Sequence, residues 1–155
     1  MHLRLIAVGT RMPAWVSAGY EDYARRLPRE LKIELVEIPL AARGNSADIP
    51  RLKSIEGERI LKAVGDARLI VLDENGSALS TLQWADALTG WMRDGRDVAL
   101  AVGGPDGHTD AVLAGAEARW SLSKLTLPHA LVRVVVAEQL YRAWSVTVNH
   151  PYHRA

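Results

Sequence analysis

The sequence contains no cysteine. Thiolate nucleophiles, thiolate zinc sites, iron–sulfur clusters and a disulfide framework are thereby excluded, and the composition suits a reducing compartment. Phenylalanine is absent as well, so the aromatic bulk of any core must come from five Trp and four Tyr. No stretch approaches the roughly 18 uninterrupted apolar residues of a membrane-spanning helix. Met1-His2-Leu3-Arg4 opens neither an apolar leader nor a cleavage site, and the expected location is cytoplasmic. Excess charge is also lacking: the net charge of +1 is not the footprint of a protein that holds nucleic acid by charge alone.

What is present describes one ordinary globular domain, taken as residues 1–155. A chain of this length buries roughly 68–70% of its unfolded surface and needs no disulfide or metal staple. The apolar fraction of 48% beside a charged fraction of 24% argues against disorder. Charge is unevenly spread. Residues 61–125 are acidic, whereas beyond 125 stand Arg133, Arg142 and Arg154 against Glu138 alone, together with His129, His150 and His153. A local basic patch is permitted, and dimerisation would double it.

Short apolar runs at 3–8, 31–38, 69–72, 98–102 and 120–123 read as strands. Helical spacing recurs from Pro13 to Pro28, from Asp48 to Gly65, after a Ser80 cap, and over 110–117. Residues 41–47 read as a mobile loop, and 73–77 as a second loop. Residues 130–149 lack Gly and Pro and form the best helix of the chain. Alternating strands and helices predict an α/β domain on a parallel sheet flanked by helices on both faces.

In such sheets ligands sit beyond the carboxyl ends of the strands. The loops to inspect are therefore 73–79, 103–108 and 123–129. Gly103-Gly104-Pro105-Asp106-Gly107 follows a buried strand and lets backbone amides approach a ligand. It is neither a Walker A loop nor a G-x-G-x-x-G fingerprint. On the last helix, Glu138, Arg142, Ser145 and Asn149 make one polar stripe, and Glu138 and Arg142 form a well-oriented i,i+4 pair. The rest of that helix is apolar around much of its circumference, which predicts burial on two sides and a homodimer. The tail, Asn149 to Arg154, combines Tyr, His and Arg, side chains suited to stacking a base, moving a proton and holding an anion.

Five segments taken in order carry a resemblance. They are Leu5-Ile6-Ala7-Val8-Gly9-Thr10, the 103–107 loop, Leu125-Thr126-Leu127-Pro128-His129, Val132 through Trp144, and the Asn149-His150-Pro151-Tyr152-His153-Arg154 tail. The chain resembles the ribosomal RNA large-subunit methyltransferase H family, SPOUT-class enzymes that methylate N3 of a pseudouridine in 23S rRNA. The resemblance spans essentially the whole chain. It implies an α/β knot whose C-terminal segment threads a loop in trefoil fashion, a homodimer, and S-adenosylmethionine as cofactor. By the same resemblance the cofactor would lie against Leu72, Gly103, Leu122, Ser123, Lys124, Leu125, Thr126 and Leu127.

N3 of a pseudouridine is a weak nucleophile while protonated, so a group must take its proton or stabilise charge on the neighbouring carbonyl oxygens. On residue type and the family's tail, His153 is the candidate base and Arg154 the oxyanion partner. Tyr152 would stack on or hydrogen-bond the target base, with Glu138 and Arg142 in secondary roles. One departure is visible: many relatives have Gly-Lys where this chain has Gly76-Ser77, and Lys124 is the substitute cation to consider. The rival readings are a non-catalytic ribosome-associated RNA-binding module and a SPOUT methyltransferase acting on another RNA.

Overall fold

The computed structural model describes residues 1–42, 44 and 48–153. Five parallel strands, β1 (Leu3–Val8), β2 (Ile33–Ile38), β3 (Arg68–Ala78), β4 (Val98–Val102) and β5 (Ala118–Ser121), form one sheet in the order β2-β1-β4-β3-β5. Between them run α1 (Ala14–Ala24), α2 (Ile49–Val64), α3 (Thr81–Asp94), α4 (Asp110–Gly115) and the closing α5 (His129–Thr147). Inserting β4 between β1 and β3 places three strand ends, those of β3, β4 and β5, side by side.

Each face of the sheet is buried under helices, which is why β4 reads as an unbroken apolar run. On one face Leu3, Leu5, Ile70, Leu72 and Leu100 meet residues of α1, α3 and α5. On the other, Ile6, Val8, Val71 and Ala101 meet Ile60, Val64 and Val112 from α2 and α4. Ser80 caps α3 through a reciprocal capping box with Gln83. Asp48 caps α2 by accepting the Arg51 amide at 3.2 Å. In place of phenylalanine, Trp84 and Trp91 of α3 pack on Trp120 of β5 with centroids 5.0 and 5.5 Å apart. That cluster fixes the last strand, and therefore the loop that follows it.

Several boundaries differ from the sequence expectation. The first helix stops at Ala24 rather than at Pro28, and Leu31 closes a single 3₁₀ turn before β2 instead of opening the strand. The most informative difference is β3. Asp73 to Ser77, read from its turn-forming composition as a loop, lies within the strand: pairing slips after Leu72↔Trp120 and resumes at Ser77↔Trp120. The slip leaves the intervening residues bulged outward. Gly76 has to be glycine there, because a Cβ would lie 2.6 Å from the Arg119 carbonyl oxygen. Of the loop expected at 41–47, Arg43, Asn45, Ser46 and Ala47 lie outside the described residues, as does Arg154.

The expectation for α5 also needs restating. Its apolar circumference is taken up largely within one chain, because α5 packs against both α1 and α3 as well as β1. Leu131, Val135 and Trp144 stay half-buried, and Val148 is exposed. No described helix is long and apolar enough to cross a membrane.

Candidate functional site

Two constellations lie at opposite ends of α5. The first is a cleft of about 590 Å³ at the carboxyl ends of β3, β4 and β5. That volume is in the range of small-ligand pockets. Its walls are the β3 bulge, the glycine loop after β4, the loop after β5, and the first turn of α5.

The geometry of each wall follows from local sequence. Gly104 and Gly107 close a tight turn, with the Gly107 amide donating to the Gly104 carbonyl at 3.0 Å and Gly107 at φ +78°. A Cβ on Gly103 would come within 3.0 Å of the Gly107 backbone, so the loop folds flat only with glycine at both places. In the loop after β5, Ser121 Oγ donates to the Ser123 carbonyl at 2.9 Å, and Ser123 Oγ accepts the Leu125 amide at 2.9 Å. Thr126 Oγ1 donates to Glu74 Oε2 at 3.1 Å, tying this loop to the β3 bulge.

Two histidines line the cleft that the sequence reading did not assign. His108 Nε2 lies 3.2 Å from the Leu72 carbonyl oxygen. A carbonyl only accepts, so Nε2 carries the proton of the neutral ring, and Nδ1 is buried with no close hydrogen-bond partner among the described residues. Burial lowers the His108 pKa, with the Leu72 carbonyl opposing, so the ring is neutral at pH 7. His129 Nδ1 is likewise buried without a partner among the described residues. Nothing in the local composition around His129 assigns it a role. Lys53 reaches the cleft from α2, an element with no local signal linking it to these loops.

Of the residues that the resemblance assigns to a cofactor, Leu72, Gly103, Leu122, Ser123, Leu125, Thr126 and Leu127 line the cleft, and Lys124 does not. None of the described tail residues, 149–153, lines it. Tyr152 instead lies along α5, its hydroxyl donating to Glu138 Oε1 at 2.9 Å. The same oxygen accepts Arg142 Nε at 2.8 Å, and the Arg142 guanidinium sits 4.9 Å above the Tyr152 ring. Tyr141 packs against that ring at 4.6 Å. Burial, then the hydrogen bond it donates to Glu138, push the Tyr152 pKa well above the usual tyrosine value, so the phenol is a donor and not a base at neutral pH.

The tail folds back because α5 ends in a Schellman turn. Asn149 adopts φ +56°, its amide reaches the Val146 carbonyl at 3.3 Å, and the His150 amide reaches the Ser145 carbonyl at 2.8 Å. His153 is thereby brought to Ser145, with Nδ1 and Oγ 3.3 Å apart. The polar stripe seen on α5 is therefore the tail's docking face.

A parallel α/β sheet that opens a nucleoside-sized cleft at adjacent strand ends defines a protein built to present a small ligand there. The family model described as "Predicted SPOUT methyltransferase" matches residues 1–153, and the chain belongs to the SPOUT methyltransferase family. Such enzymes use S-adenosylmethionine as methyl donor. Two solved structures share the fold. One, the tRNA (m1G37) methyltransferase from Aquifex aeolicus, matches at a TM-score of 0.55 and 15% identity over 100% of this chain and 76% of that one. The other, a putative methylase family protein from Neisseria gonorrhoeae, matches at a TM-score of 0.56 and 14% identity over 99% of this chain and 88% of that one. The α/β architecture of parallel sheet and flanking helices expected from the sequence is thus the SPOUT-like one observed.

The cleft fits that cofactor. Leu72, Val102, Leu122, Leu127 and Val132 offer apolar surface for an adenine ring. The glycine loop contributes to the lining as well, and Asp73, Glu74 and Asp106 line the cleft together with Lys53.

Proposed function

We propose that this protein transfers the methyl group of S-adenosylmethionine to N3 of a pseudouridine in 23S ribosomal RNA, acting as a homodimer. The observation that carries the methyl-transfer part is the cleft, whose walls include seven of the eight residues that the resemblance assigns to the cofactor. The choice of substrate rests on the likeness of residues 125–129 and of the Asn149 to Arg154 tail to the large-subunit methyltransferase H family.

Bound S-adenosylmethionine supplies an electrophilic methyl group on sulfur. Leu72 and the loop after β5 would hold it, and a fixed geometry there would contribute much of the acceleration. His153 accepts the N3 proton, and Arg154 stabilises charge growing on the adjacent carbonyl oxygens. Tyr152, braced between Glu138, Arg142 and Tyr141, sets where the tail can go.

Within one chain the cleft and the tail are kept apart. Ser145, which meets His153, lies sixteen residues beyond His129, roughly 24 Å along the helix axis. A second chain crossing at α5 would bring its own tail to the first chain's cleft. This spacing, together with the half-buried apolar residues of α5, supports the homodimer.

Mass spectrometry of ribosomal RNA from a strain lacking the protein tests the substrate. The expected result is loss of the N3-methyl group of a 23S pseudouridine and its restoration by the wild-type gene. A methyl group that persists defeats the assignment, and loss of a methyl group from another RNA redirects it. Titration calorimetry with S-adenosylmethionine tests the chemistry, because absence of binding leaves only a non-catalytic RNA-binding module. Sedimentation of the purified protein should give the mass of two chains.

A further inference from the structure

Ser145 is completely buried, and its hydroxyl lies between two partners. Oγ is 2.6 Å from the Arg142 carbonyl oxygen and 3.3 Å from His153 Nδ1. A carbonyl oxygen can only accept, so the single hydroxyl proton is committed to Arg142. That bond is the i−3 back-bond typical of serine in a helix, and it fixes the direction of the hydroxyl. Toward His153, Ser145 Oγ therefore has only lone pairs to offer. The hydrogen bond between them then requires the proton on His153 Nδ1. A neutral imidazole carries one N–H, so its lone pair is on Nε2.

We propose that Ser145 is a positioning residue that sets the tautomer of His153, leaving Nε2 as the ring's only proton-accepting atom. Two further features suit the role. Ser145 holds the tail twice, because its carbonyl also accepts the His150 amide at 2.8 Å and closes the turn that brings His153 back to the helix. The neighbouring Arg142 is occupied by Glu138 through both Nε and Nη2, so the guanidinium does not compete for the serine hydroxyl. The consequence for catalysis rests on His153 being the proton acceptor proposed above. The tautomer itself does not depend on that reading.

The test is nitrogen-15 NMR of the full-length protein with labelled histidine, at a pH where His153 is neutral. In the wild type, Nδ1 of His153 should show the shift of a protonated nitrogen and Nε2 that of an unprotonated one. Ser145→Ala should move the population toward Nε2–H, the form ordinarily favoured in water, and Ser145→Thr should restore the wild-type pattern. In methyl-transfer assays, Ser145→Ala should lower kcat about ten-fold, short of the loss caused by removing the base, with KM for S-adenosylmethionine within about two-fold of wild type. Ser145→Thr should recover most of that rate. A wild-type spectrum with Nε2 protonated overturns the proposal, and it decides the matter even if Ser145→Ala does not fold. An unchanged tautomer in a folded Ser145→Ala protein overturns it as well. If the tautomer is as stated but His153→Ala keeps full turnover, the tautomer assignment stands and the role of His153 in the proposed function falls.

Discussion

At its amino end α5 faces a cleft shaped by glycine turns and backbone-bonded serines, and at its carboxyl end it holds the tail through a Schellman turn and the side chains of Glu138, Arg142 and Ser145. In the cleft, Gly103, Gly104 and Gly107 shape one wall by what they lack, and Ser121 and Ser123 shape another through bonds to backbone. In the tail, Glu138 alone accepts from Arg142, Tyr152 and Gln139, so one carboxylate organises three elements of the cluster. The two constructions fail in opposite ways. A site made of backbone tolerates many side chains but not an added Cβ where strands and turns touch. A cluster made of side chains tolerates little truncation.

The largest expected effect separates the two ends by function. His153→Ala should cut methyl transfer about 100-fold or more while leaving the Kd for S-adenosylmethionine within about two-fold, measured by single-turnover assay and calorimetry. A matching loss of cofactor affinity would show that the ends are not separable. Next is the cleft's intolerance of bulk. Gly76→Ala places a methyl group 2.6 Å from the Arg119 carbonyl oxygen and 2.8 Å from the Trp120 carbonyl carbon, both main chain. The expected cost is about 3 kcal/mol in urea unfolding.

Tyr152→Phe tests the tail's intolerance of truncation, since it removes the hydroxyl from Glu138. It should cost about 1 kcal/mol at pH 7. Because the folded protein raises the Tyr152 pKa, this contribution is fully present below about pH 10 and is lost as the pH climbs further. The stability gap between the two proteins should therefore narrow above that pH in chemical denaturation. Tyr20, whose pKa burial also raises, is present in both proteins and leaves the difference unaffected. The smallest effect is a control outside both regions. Ser80→Ala, which removes the cap of α3, should cost about 1 kcal/mol of stability and leave turnover unchanged.

The cleft was partly legible in the sequence because strand ends and glycine turns are local signals. Two of its three principal loops follow runs, 69–72 and 98–102, whose continuous apolar character marks them as buried strands. The β3 bulge was misread because Asp-Glu-Asn-Gly-Ser has the composition of a turn, and a slipped register cannot be told from a loop by composition alone. Lys53 was missed as a cleft residue because it sits on α2, whose own pattern is ordinary, while His108 and His129 fall inside loops marked for a ligand but carry no local signal of a role. The stripe of Glu138, Arg142 and Ser145 was visible at helical spacing. What it faces was not visible, since that depends on the chain reversing at Asn149.

By itself the sequence determined the alternation of strands and helices, the exclusion of thiol and P-loop chemistry, and the segments that carry the family resemblance. These follow from residue type and short-range period, which act within a few positions of each other. Tertiary structure alone decided that β4 lies between β1 and β3, that the β3 bulge crosses β5 at Gly76, and that α5 holds the tail away from the cleft in its own chain. Those outcomes depend on contacts between residues far apart in sequence, and their free energy appears only when whole faces are buried together. The absent cysteine narrowed the chemistry. The tertiary fold is what set the buried Ser145 hydroxyl against His153 Nδ1 in the returning tail.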